Sequence, residues 1–278
     1  MYTPSSKTSS SSRPSTSMHY WEPHSASIDF CETNYFHSNH IVEIHNTRSS
    51  IIGLSSFGVM GLMLGNHTGE RRNTVAYLVL ILIGIGSAGL HGTLHWFLQS
   101  ADELPMMYLL TCLLYMCAEY DAPRGKPNYP RLPQILSLLA TVNTIIYYCF
   151  QQFYLVFIFS FGSGGTAVLT WLHYTLYGKP GRSREAQHIC SIGVISILMG
   201  GLPCWLYDML QCKSFIGQAD HFLHGLTPHV LWHFGAGFAA YCTIVSLECC
   251  RMEELGIPYK AKFIGGVFPL ISTDVDKP

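Results

Sequence analysis

Residues 74–97 read T-V-A-Y-L-V-L-I-L-I-G-I-G-S-A-G-L-H-G-T-L-H-W-F, a run that contains no Asp, Glu, Lys or Arg. As an α-helix it is long enough to cross a bilayer. Ser87 and His91, four residues apart within it, lie on one helical face. A hydroxyl and an imidazole at that depth are costly, which marks them for function. The competing reading is that Ser87 bonds back to its own helix and His91 is a satisfied helix-contact residue.

The rest of the chain agrees with a membrane setting. Charged residues make up only 12% of the 278 residues and hydrophobic ones 49%, the balance of a polytopic membrane protein. Seven apolar stretches, 44–64, 74–97, 104–119, 132–150, 153–174, 188–210 and 228–248, have spanning length once tilt is allowed. The expected fold is an all-α membrane protein, a seven-transmembrane helix bundle. Residues 1–19 form a Ser-rich disordered tail without the apolar core of a signal peptide, and 20–43 a polar, aromatic and acidic segment. The helical domain covers 44–250, and 251–278 is a tail. No basic run interleaved with aromatics supports nucleic-acid binding, and nothing calls for an obligate protein partner.

Basic residues orient the bundle. Arg71, Arg72, Arg124, Lys126, Arg131, Lys179, Arg182, Arg184, Arg251, Lys260, Lys262 and Lys277 fall in the first, third and fifth connections and the C-terminal tail, against Lys7, Arg13 and Lys213 on the other side. Arg48 lies within the first helix. The N-terminus is therefore expected in the lumen and the C-terminus in the cytosol. The sequon Asn66-His67-Thr68 then faces the cytosol and stays unmodified. Cys31 and Cys212 share the oxidising side, where a disulfide can form. The ten cysteines include no C-x-x-C pair, which argues against a zinc ribbon.

With this topology the polar residues meet at one depth. The last helix opens with H-V-L-W-H, whose His229 and His233 are spaced i, i+4 on the side where His91 lies. Two imidazoles from one helix and a third from another can hold zinc with one position open, and zinc brings the pKa of bound water to about 7. His91 and His95 share the same spacing, but His95 sits beside Trp96 near the interface and reads as a surface imidazole. Asp102 opens the third helix at this level, either as an ordinary helix-start residue or as a proton carrier. Ser87 reads as an oxyanion partner rather than a nucleophile, because G-S-A-G matches no serine-hydrolase elbow. Asp29, Glu32, Asn34 and Glu43 are hard oxygen donors suited to calcium, yet without the EF-hand spacing they also read as solvated acids.

Five motifs together resemble the alkaline ceramidase family of seven-helix membrane hydrolases. They are D-F-C-E-T-N-Y at 29–35, E-I-H-N-T at 43–47, G-S-A-G-L-H-G-T-L at 86–94, D-E-L-P-M at 102–106 and H-V-L-W-H-x-x-x-G at 229–237. The resemblance implies zinc on His91, His229 and His233, with Ser87 and Asp102 as catalytic neighbours. It implies calcium on Asp29, Glu32, Asn34 and Glu43 and on the backbone carbonyl of Phe30, where many relatives have Trp. It also implies a Cys31–Cys212 disulfide. The implied reaction is hydrolysis of the ceramide amide to a sphingoid base and a fatty acid, in the endoplasmic reticulum or Golgi membrane. The wider superfamily includes adiponectin-receptor-like proteins with a similar zinc site, so a seven-helix receptor is the alternative, which the 29–35 motif disfavours. A transporter would show paired interrupted helices, which this chain lacks.

Overall fold

The computed structural model describes residues 19–178, 182–222 and 225–273, the side chains of 213–222 excepted. Most of the expected tail, together with Lys7, Arg13, Lys179, Lys277 and the Lys213 side chain, lies outside these residues.

Among the described residues seven long helical rods follow one another. α1 (Ile44–Leu64) has a π-helical turn at Ile51–Ser55. α2 is Arg71–Thr93, α3 Trp96–Glu119, α4 Leu132–Phe150 and α5 Tyr154–Tyr177. α6 runs through Arg184–Ile195, a π turn at Ser196–Gly201 and Leu202–Phe222, and α7 is His229–Glu254. Six of them, all except α3, are long and apolar enough to cross a membrane. α3 has the length, 24 residues, but carries Asp102, Glu103 and Glu119. The chain is thus a helical integral membrane protein.

Residues 74–97 are not one helix, as the apolar run suggested. α2 stops at Leu94, which adopts the left-handed conformation at φ 49° and ψ 42°. The stop is tertiary in origin. The Leu94 carbonyl accepts the N–H groups of Ser25 (3.0 Å) and Ala26 (2.9 Å), and its buried side chain packs with Ile28, Phe30, Val42 and Leu90. His95 then caps α3, its Nδ1 accepting the Phe97 N–H at 3.3 Å. The third helix accordingly begins at residue 96 rather than 104.

The acidic N-terminal segment is built onto the bundle. Glu32 turns both carboxylate oxygens to the first turn of α1, accepting the His45 and Asn46 amides at 2.7 Å each. Those amides have no partner within the helix and sit at the positive end of its dipole. A disulfide joins Cys31 to Cys212 of α6, with the Cα atoms 5.0 Å apart.

The core lies between α2, α3 and α7. α7 is buried along most of its length, whereas Tyr147 is the one buried side chain of α4 among the described residues. After α7 the chain does not trail away. Strands β1 (Lys260–Ile264) and β2 (Phe268–Ser272) pair antiparallel around Gly265 and Gly266, both at positive φ. Tyr241 of α7 donates to the Pro269 carbonyl at 2.9 Å, and Ile271 joins the core. This hairpin is a β element that the all-α reading of residues 251–278 did not include.

Candidate metal centre and acidic cluster

His91 leaves α2 two residues before its end, while His229 and His233 occupy the first two turns of α7. All three are buried, at 0%, 2% and 1% exposure. A ring nitrogen from each falls within 4.8 Å of the other two, a group that could hold a metal ion.

Two close helix contacts set this geometry. A Cβ on Gly53 of α1 would stand 2.9 Å from the His233 carbonyl carbon and the Phe234 nitrogen, so only glycine lets α1 approach α7 here. A Cβ on Gly86 would collide with the Ala101 carbonyl, so glycine likewise brings α2 against α3. The first contact delivers Ser49 to His233, and the second brings Ser87 beside Asp102.

The hydrogen bonds assign the ring protons. Ser49 Oγ donates to the Asn46 carbonyl (3.1 Å), so at 2.7 Å it accepts from His233 Nδ1. That leaves His233 Nε2 with its lone pair, 3.4 Å from Ser87 Oγ. Ser87 in turn lies 3.0 Å from the Ser50 hydroxyl. His91 Nδ1 meets Glu43 Oε2 at 2.6 Å, and its Nε2 is buried without a hydrogen-bond partner among the described residues. His229 Nδ1 is in the same position. Unsatisfied imidazole nitrogens in a dry interior are costly, and a metal ion would satisfy them. The donor set of three neutral imidazoles, one backed by a carboxylate, suits zinc.

His95 stays outside this group, exposed at the start of α3. The turn at Leu94 takes it off the face it would have shared with His91.

The acidic residues form the neighbouring layer. Asn34 Nδ2 donates to Asp29 Oδ1 at 3.4 Å, and Asn34 Oδ1 is buried without a hydrogen-bond partner among the described residues. Burial pushes the Glu32 carboxyl up to about 7, helped by the charge of Glu43 and opposed by the His45 and Asn46 amides. Burial also raises the Glu43 carboxyl well above the usual range, with the charges of Asp29 and Asp208 adding to the effect. Several carboxylates that destabilise one another beside an unsatisfied amide oxygen suit a hard cation. The Phe30 ring packs on His91 and His229, at centroid distances of 4.6 and 4.2 Å.

Several contributors were not singled out from the sequence. Ser49 and Ser50 are a polar pair inside the first apolar run, the same signal that drew attention to Ser87. Asp208, four residues before Cys212 on α6, accepts the Cys31 N–H at 3.1 Å. Glu103 receives hydrogen bonds from Tyr147 Oη (2.6 Å) and Gln99 Nε2 (2.9 Å) beside Asp102.

Comparison with known proteins shows which family the chain is similar to. The family model described as Ceramidase matches residues 22–269. The alkaline ceramidase of Arabidopsis thaliana is 28% identical, covering 93% of this chain and 96% of its own length. Alkaline ceramidase 3 of Mus musculus is also 28% identical, covering 91% and 94%. Alkaline ceramidase YPC1 of Saccharomyces cerevisiae is 26% identical, covering 88% and 82%. A match that opens ahead of the acidic segment, runs through all seven helices and closes inside the terminal hairpin makes this chain a member of the ceramidase family.

Proposed function

We propose that this protein hydrolyses the amide bond of ceramide-type lipids within the membrane, releasing a sphingoid base and a free fatty acid. The observation that carries the reading is the buried trio His91, His229 and His233, in a chain whose relatives are named alkaline ceramidases. The trio would hold zinc. Bound there, zinc supplies Lewis-acid polarisation of a carbonyl and a hydroxide nucleophile near neutral pH.

The remaining chemistry falls to the chain's own groups. Amide hydrolysis needs a proton on the departing nitrogen. Asp102 takes a proton from the attacking water and returns it to the amine. Ser87, beside Asp102, turns its one hydroxyl proton to the oxyanion that forms as the carbonyl is attacked. Glu43 and Ser49 keep His91 and His233 in the tautomers that leave Nε2 free. The apolar helices accommodate the two hydrocarbon chains.

The acidic layer is the regulatory or structural half of the proposal. Asp29, Glu32, Asn34 and Glu43, with the Phe30 carbonyl, would bind calcium, and the Cys31–Cys212 disulfide fastens that segment to α6. In this reading α3 is the seventh span despite its acidic residues. The N-terminal segment faces the lumen and the C-terminal hairpin the cytosol, in the endoplasmic reticulum or Golgi membrane.

Washed membranes containing the folded protein, supplied with zinc, calcium and ceramide, test the reaction. Release of sphingoid base is expected, and its absence would favour the receptor alternative.

A further inference from the structure

Arg71 and Arg72 open α2, and His91 lies near its other end, which at 1.5 Å per residue separates them by about 30 Å. At the Arg71 end a cavity of about 660 Å³ opens between α3 and α4. Its shape follows from how α4 is held. Tyr147 donates to Glu103 at 2.6 Å, and the Tyr108 and Thr144 hydroxyls are 2.8 Å apart, which pins the two helices together. Toward Leu132 they part, leaving a wedge walled by Thr111, Cys112 and Tyr115 on one side and Leu136 and Ala140 on the other.

The mouth of the wedge is basic. Arg71, Arg72, Lys126 and Arg251 line it against only two acids, Glu70 and Glu119. Both acids are already engaged. Glu70 receives hydrogen bonds from Arg72 (2.6 Å) and Arg251 (2.7 and 2.9 Å). Glu119 accepts the amides of Asn128 (2.8 Å) and Tyr129 (2.7 Å). Arg71 and Lys126 are exposed and have no carboxylate partner among the described residues.

A slot with apolar walls, lying between spanning helices and opening onto two uncommitted cations, matches an anionic amphiphile with its chain inside and its head at the rim. We propose that the wedge binds an anionic phospholipid from the leaflet at that end, its phosphate on Arg71 and Lys126 and one acyl chain between α3 and α4. A free phosphate ion would leave the apolar walls unused. A zwitterionic lipid would bring its own cation to an already positive rim. The site rests on the membrane setting of the chain and not on the reaction proposed above.

The test uses the full-length protein in phosphatidylcholine nanodiscs, with retained lipid read by native mass spectrometry and stability by Tm. Phosphatidylserine of the same acyl chains is expected to be retained in preference to phosphatidylcholine and to raise Tm, with inorganic phosphate leaving Tm unchanged. R71A/K126A should lose about fivefold in phosphatidylserine affinity for each charge removed, about 30-fold together, with Tm in pure phosphatidylcholine unchanged. Leu136→Trp, which fills the wedge and spares both cations, should also lose retention. Equal retention of phosphatidylcholine, full binding by R71A/K126A, or a Tm shift reproduced by inorganic phosphate would overturn the proposal.

Discussion

Glu43 Oε2 lies 2.6 Å from His91 Nδ1, and both side chains are fully buried. Glu43 precedes α1 directly and His91 lies near the end of α2, so this one hydrogen bond ties the acidic segment to the histidine trio. A carboxylate in this position fixes the imidazole ring and raises its basicity.

Glu43→Gln keeps the shape and removes the charge. Zinc affinity or catalytic rate should fall about 10- to 100-fold, the usual effect of losing such a partner. Competition with a zinc chelator measures the first and product release the second. Unchanged values for both would mean that the bond does not support the site.

Glu32 gives the acidic layer a pH signature. Its carboxyl, pushed up to about 7, stays protonated in the cation-free folded protein at pH values where an unfolded chain has released the proton. The stabilising contribution of that proton is lost as pH rises through about 7. Calcium must displace it at lower pH, so calcium affinity should fall by up to about tenfold per pH unit below 7. Calcium should also raise Tm more at pH 8 than at pH 6. Titration calorimetry across this range checks the slope, and Glu32→Gln should flatten whatever binding remains.

Glu70 has the opposite sign. Burial works against its charge, but hydrogen bonds from Arg251 and Arg72 outweigh that and hold the carboxyl below its usual range. Its contribution to stability is therefore complete above the unfolded value of about 4.3 and disappears as pH falls through the lower folded value. Glu70→Gln should cost about 2 kcal/mol at neutral pH. The gap to the parent protein should close in acid, and a gap that stays constant with pH would contradict the ion-pair account.

The Cys31–Cys212 link closes a span of 181 residues and holds the cluster segment to α6. Cys31→Ser should lower stability by about 2–5 kcal/mol and weaken calcium binding, because Asp29 and Glu32 would lose their anchor. Thermal unfolding with and without calcium separates the two effects.

The sequence made the bundle and the histidines legible because long uncharged runs and i, i+4 spacing survive any detail of packing. His91, His229 and His233 needed only the right helices at the right depth. The stop at Leu94 was not legible, since the backbone N–H groups of Ser25 and Ala26, far along the chain, impose it. The position of Glu43 against His91 was hidden because a single acid cannot announce which neighbour it will meet. Ser49 escaped notice because its partner, His233, is 184 positions away. The terminal hairpin was missed because K-A-K-F-I and F-P-L-I-S are short, and Ile271 is buried by the helices rather than by its own pattern.

The most direct measurement follows zinc content and ceramide cleavage together, on the purified protein and on His229→Ala. The account predicts about one zinc per chain and release of sphingoid base with fatty acid for the parent protein, and loss of both in the variant. A variant that lacks zinc yet still cleaves ceramide, or one that keeps full zinc occupancy, would contradict it.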